Sequence, residues 1–145
     1  MEINIQGNVF DIEFEKTKEY YQTHSLCDCP NCRNFYLQVS DRLPLLTSFL
    51  VDFGVSVDRP DELASIELNH EIQYLFAAYT VCGKIRDCIN KKIQLQEDGL
   101  CLDIVFDDHY IPNEQSGEYF VIGIYNITLL WRLDEPFPVV RKNIF

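Results

Sequence analysis

The sequence predicts an α+β fold: a mainly antiparallel β-sheet with two consecutive helices, at about 30–53, packed on one face. Three observations carry this. Segments of period two are joined by short turns, the residues with a helical period gather in the first third of the chain, and strands and helices do not alternate regularly. A chain of 145 residues with 47% hydrophobic and 24% charged residues is expected to fold as one domain, 1–145, with a core that needs no metal or disulfide.

At the N-terminus, Ile3 and Ile5 alternate with polar neighbours, as do Phe10, Ile12 and Phe14, so two short strands are expected around a Gly7-Asn8 turn. Lys16 to Leu26 is polar and aromatic and is assigned no element. It leads into Cys27-Asp28-Cys29-Pro30-Asn31-Cys32. Phe35, Val39, Leu43, Leu46, Leu50 and Phe53 then follow at spacings of three and four, the helical period. Pro44 interrupts them, so one helix is expected over about 30–38 and a second over about 43–53. Pro30 suits a first helical turn and Gly54 a C-terminal cap.

Residues 55–69 read as a connection with one short strand at Ser65–Leu68. Ile72 to Cys82 is rich in aromatic and small residues. Ile89, Lys91, Ile93 and Leu95 are expected to face one way, followed by the hairpin signal Asp98-Gly99 and a return strand in which Leu100, Leu102, Ile104 and Phe106 share a face. Residues 107–118, with Pro112, Asn113 and Gly117, form a loop. Tyr119 to Leu133 is long for one strand, so it reads as two strands, or one bent near Gly123 or Asn126, crossing the middle of the sheet. Asn126-Ile127-Thr128 matches a glycosylation acceptor in form and reads as strand. Arg141 and Lys142 close the tail.

Twelve basic against 23 acidic residues give a formal net charge of −11, which argues against a phosphate backbone as partner. No cationic segment followed by an apolar run opens the chain and no run could span a membrane, so a cytoplasmic protein is expected. In a reducing compartment its six cysteines read as free thiols or metal ligands, not a disulfide framework.

Cys27, Cys29 and Cys32, with His24 three residues upstream, put four soft donors in nine residues. Three roles compete. As structural thiols they would pin the start of the helices, with Asp28 or Asn31 supplying cap hydrogen bonds. As a zinc site they would need a fourth ligand, either His24 or a remote thiol among Cys82, Cys88 and Cys101, because there is no second C-x2-C pair. As a redox centre, Cys29 and Cys32 would form a C-x-x-C unit with Cys29 activated by the helix dipole and Cys27 as a resolving thiol. A dithiol oxidoreductase places that motif after a strand in a βαβ unit, a context absent from the pattern here.

Other candidates read as ordinary surface. Asp107-Asp108-His109 and His70 fall at turns, and phosphate loops, dinucleotide fingerprints, Gly-x-Ser-x-Gly and His-Glu-x-x-His are all missing. Tyr20, Tyr21, Tyr36, Tyr110 and Tyr119 lie near expected loops or helix faces, where a phenol can anchor a partner, although an ordinary place in an aromatic core is the preferred reading of each. The stretches Cys27-x-Cys29-x-x-Cys32-x-Asn34-Phe35 and Trp131-Arg132-Leu133-Asp134-Glu135-Pro136-Phe137-Pro138 resemble those of a family of small uncharacterised bacterial proteins. The resemblance implies a bacterial single-domain protein and assigns no catalytic residue. The expected function is therefore a non-enzymatic, immunity-like module that binds and regulates a basic protein. The alternatives are a zinc-binding protein and, third, a thiol oxidoreductase.

Overall fold

A computed structural model describes residues 1–108, 113–114 and 117–138. His109, Tyr110, Pro112, Arg141 and Lys142, singled out from the sequence, lie outside the described residues. Those described form strands β1 (Glu2–Ile5) and β2 (Asn8–Ile12), helices α1 (Phe14–Thr23), α2 (Pro30–Arg42) and α3 (Pro44–Val51), and strands β3 (Glu62–Glu67), β4 (Glu71–Asp87), β5 (Lys92–Glu97), β6 (Leu100–Asp107) and β7 (Tyr119–Leu130). The α+β class holds. All the strand pairs are antiparallel, in the order β1-β2-β4-β7-β6-β5, with β3 also paired to β4. No helix among the described residues is long and apolar enough to cross a membrane.

The hairpins follow their turn chemistry. Asp98-Gly99 turns with both φ positive, 52° and 75°, as expected for that dipeptide. At the N-terminus the turn falls one residue earlier than expected, at Gln6-Gly7 (φ 50° and 86°). Asn8 instead opens β2 and is fully buried, because its side chain donates to the Asn90 carbonyl at 2.7 Å and accepts from the Asn90 N–H at 2.8 Å. The tertiary partner outweighs a local turn preference.

Two further expectations need correction. The unassigned stretch after Lys16 is α1, whose buried residues are Thr17, Tyr20 and Tyr21; a helix that packs through a hydroxyl and two phenols carries no aliphatic stripe to read. Phe14, expected in a strand, starts this helix. Ile89 is 70% exposed and Lys91 is exposed too, so only Ile93 and Leu95 of that expected face turn inward. The first expected helix runs on to Arg42; the division expected at Pro44 is present, with Pro44 as the N1 residue of the second helix. The expected short strand sits at Glu62–Glu67, ahead of Leu68, in the connection.

One core lies between the helices and one face of the sheet. On β4 it takes Ile72 and Tyr74, then Ala77, Tyr79 and Val81; on β7 it takes Phe120, Ile122 and Ile124, then Ile127 and Leu129. Both strands skip from period two to a step of three at the same place. The break falls between Tyr74↔Ile127 and Phe76↔Tyr125, where Leu75 faces outward and Asn126 adopts φ 75°. Because each strand carries one extra residue there, their mutual register survives while β3 shifts against β4 between Ala64 and Ser65. This is the bend expected near Asn126, within one strand at the centre of the sheet.

Strand β4 also has two partners along a single edge. β3 pairs as far as Ala78 and β2 starts at Gly83, which leaves a gap. Its backbone groups are met from α1 and its flanks. The Thr80 N–H donates to the Asp61 carboxylate at 2.9 Å, and the Tyr21 hydroxyl donates to the Thr80 carbonyl at 2.7 Å. The Cys82 N–H donates to the Thr17 hydroxyl at 3.1 Å, and the Glu13 N–H donates to the Cys82 carbonyl at 2.9 Å. Where β2 joins, a Cβ on Gly83 (φ 133°) would lie 2.2 Å from the Asp11 carbonyl oxygen, so that crossing requires glycine.

Replacing Thr17 by the isosteric valine should leave the buried Cys82 N–H without a partner and cost about 1–3 kcal/mol in urea unfolding, with an unchanged m-value.

Candidate metal centre

The loop after α1 and the first turn of α2 carry the cysteines. Cys29 is the N-cap of α2, with extended backbone, and its own sulfur accepts the Cys32 N–H at 3.4 Å. Pro30 at N1 presets the helical φ and has no N–H to satisfy. The expected cap residues act elsewhere. Asp28 pairs with Arg33, its carboxylate 3.5 Å from Nε, and the Asn31 amide donates to the Ser65 hydroxyl at 3.1 Å.

This turn brings the sulfurs of Cys27, Cys29 and Cys32 within 4.8 Å of one another. Cys27 and Cys29 are exposed and Cys32 is buried. The environment divides their chemistry. Hydrogen bonds from the Cys29 backbone and thiol lower the pKa of Cys27, whereas burial, reinforced by the neighbouring sulfurs, pushes the Cys32 thiol well up. Of these two thiols, Cys27 therefore ionises more readily than Cys32.

His24 does not join the group. Its ring stacks on Tyr20 with centroids 4.7 Å apart, Tyr21 closes its edge at 5.0 Å, and Nδ1 lies 3.1 Å from the Tyr20 carbonyl oxygen. The residue is 3% exposed and Nε2 has no hydrogen-bond partner. Cys82 is buried on β4, Cys88 and Cys101 are exposed on the sheet side of the chain, and none of the three belongs to the sulfur group. His70 occupies the β3–β4 turn (φ 61°), as expected.

Tyr20 and Tyr21 are core residues, not surface anchors. Tyr20 donates to the Asp61 carboxylate, and burial followed by that bond drives its pKa upward. Tyr36 packs over the site, its hydroxyl donating to the Cys27 carbonyl at 2.9 Å.

The floor of the site is one the sequence pattern did not reveal. Asn34, fully buried, donates to the Leu130 carbonyl and the Tyr74 hydroxyl, both at 3.2 Å, while its oxygen accepts from the Arg132 N–H at 2.8 Å and from Gln38 at 3.1 Å. Tyr74 donates in turn to the Asn31 carbonyl at 2.6 Å. Arg33 forks onto both oxygens of Glu135, whose carboxyl it holds below the usual range, and the Trp131 indole donates to the Glu135 carbonyl at 2.9 Å. The cysteine stretch and the Trp131–Pro138 stretch, about a hundred residues apart in sequence, thus meet in space. A buried asparagine directly before Phe35 gives no signal by spacing alone; its partners Tyr74, Leu130 and Arg132 are long-range. Compared with protein-family models, curated proteins and solved structures, the chain matches none.

Two outcomes follow from this geometry. Asn34→Ala should cost about 2–4 kcal/mol in denaturant unfolding, because it strands several buried partners at once, whereas Glu135→Gln on the exposed rim should leave stability nearly unchanged. In metal-free protein near pH 7, iodoacetamide should modify Cys27 first and Cys32 last by peptide mass spectrometry; equal rates would contradict the division of the thiols.

Proposed function

We propose that the protein binds a thiophilic metal ion, zinc, through Cys27, Cys29 and Cys32. The observation that supports this reading above others is the approach of three sulfurs to within 4.8 Å. Sulfurs bound to one tetrahedral zinc at about 2.3 Å lie about 3.8 Å apart, so the trio needs only small side-chain rotations to close on an ion. The start of α2 supplies amides and the positive end of the helix dipole, which favour the thiolate forms that a metal requires. Protons leave the three thiols as the ion enters, so affinity rises with pH. The redox reading of Cys29 and Cys32 has less support, since every described strand pair is antiparallel and the C-x-x-C turn follows a helix and loop, not a strand.

Purified full-length protein should bind close to one equivalent of zinc by elemental analysis after dialysis. Serine at Cys27, Cys29 or Cys32 should each weaken binding by at least about tenfold, and free zinc at a hundred times its Kd should raise stability by about 2.7 kcal/mol. Less than a tenth of an equivalent, with no thermal shift, would overturn the reading.

A second reading, a module that binds and regulates a basic protein, is favoured by a separate observation. On the sheet face away from the helices, Ile66, Leu68, Leu75 and Leu130 are exposed on β3, β4, β7 and the β3–β4 turn, in a chain of net charge −11. Ile66→Glu should then abolish salt-dependent association with a cationic partner in sedimentation while zinc uptake is unchanged.

A further inference from the structure

The three sulfurs lie within 4.8 Å of one another but differ in access to solvent: Cys27 and Cys29 are exposed and Cys32 is buried. Cys29 and Cys32 also share one helical turn. Cys29 is the N-cap of α2, with φ −74° and ψ 157°, and Cys32 stands at N3, the pair of positions across which a capping box closes. The Cys29 sulfur already accepts the Cys32 N–H at 3.4 Å, so it rests against the residue whose thiol it would meet.

The backbone of this turn is held in place. Pro30 presets the helical φ at N1, the Asn31 amide donates to Ser65 and its carbonyl accepts from Tyr74, and Arg33 reaches Glu135. Closing two sulfurs to a bond of about 2.05 Å therefore needs side-chain rotation at Cys29 and Cys32, with no movement of the helix. Cys27 precedes the helix, so a bridge from it to either neighbour lacks this preset turn, and departures from disulfide geometry store strain. Exposure sets the order of events. An oxidant reaches Cys29 from solvent, whereas Cys32 is shielded from it yet lies within reach of the sulfur that has reacted.

Resting on the zinc reading above, we propose that hydrogen peroxide converts Cys29 and Cys32 to a reversible disulfide and that this bond closes the metal site. The Cys29 sulfur attacks one peroxide oxygen: the O–O bond breaks, an S–O bond forms, and hydroxide leaves as water with the proton that Cys29 gave up. The Cys32 sulfur then displaces the sulfenic hydroxyl, which leaves as a second water with the Cys32 proton as the S–S bond forms. The two sulfurs together lose two electrons and the peroxide gains them. Disulfide sulfurs are no longer thiolates, so only Cys27 of the three ligands is left and the ion is released. The protein is here the target of the oxidant, a role that does not require the βαβ setting of a dithiol oxidoreductase.

The test uses full-length protein, reduced and metal-free, with one half treated with a small excess of hydrogen peroxide at neutral pH. Thiol titration of the treated, unfolded chain should find two fewer free thiols, and peptide fragmentation should place one bridge between Cys29 and Cys32 with Cys27 still open to alkylation. Zinc uptake by the treated half should fall at least about tenfold and return with dithiothreitol. Cys27→Ser should still form the bridge, whereas Cys32→Ser should carry a sulfenic or sulfinic acid at Cys29 instead. A bridge that joins other cysteines or two chains, thiols that all survive, or treated protein that takes up zinc as well as the untreated half overturns the proposal while leaving the metal reading in place. Reduced protein that takes up no zinc overturns the metal reading itself, and the closing of the site with it.

Discussion

The stretch of β4 between its two edge partners is the constraint on which the rest of the molecule depends. A buried strand edge must find partners for its N–H and C=O groups, and a gap between two paired strands exposes several at once. Here the Glu13 amide, the Thr17 and Tyr21 hydroxyls and the Asp61 carboxylate take the place of a missing strand. Glu13, Thr17 and Tyr21 are spaced by four, so α1 and its N-cap supply three of these groups from one face, and Asp61, just ahead of β3, supplies the fourth. That requirement fixes α1 against the sheet edge, and with it the point from which the cysteine loop departs.

The paired irregularity at Leu75 and Asn126 solves a related problem at the centre of the sheet. An extra residue in one strand would turn every following side chain to the wrong face. An extra residue in both, opposite one another, restores the register between β4 and β7 and keeps Ile72 and Tyr74 on the same side as Ala77, Tyr79 and Val81. The bend it introduces is passed to β3, whose pairing slips by one residue. Tyr74, just before that point, is thereby aimed at the start of α2, where its hydroxyl reaches Asn31 and Asn34.

The cysteine turn is accordingly supported from below. Asn34 binds the chain beyond β7, Arg33 reaches Glu135 on the rim, and Tyr36 holds the Cys27 carbonyl. These contacts orient the backbone of the turn on which the three sulfurs converge. A ligand set held by its surroundings loses less conformational freedom on closing around an ion than one on an unrestrained loop. The two sequence stretches that stand out as unusual are, in the fold, the site and its support.

By itself the sequence determined the α+β class, the Asp98-Gly99 hairpin, the inward face of β6 and the nearness of Cys27, Cys29 and Cys32, because each of these follows from local spacing. It led to the right helices after Pro30 for the same reason, though not to their ends. What the tertiary structure decided is whatever depends on partners far along the chain. Asn8 leaves its expected turn for Asn90, α1 exists to complete the edge of β4 through polar groups that leave no apolar stripe, and Asn34 becomes the floor of the site through Leu130 and Arg132. His24 shows the limit most directly: three residues from Cys27 in sequence, it is drawn from the sulfur group by stacking on Tyr20 and Tyr21, since ring packing in the core outweighs proximity along the backbone.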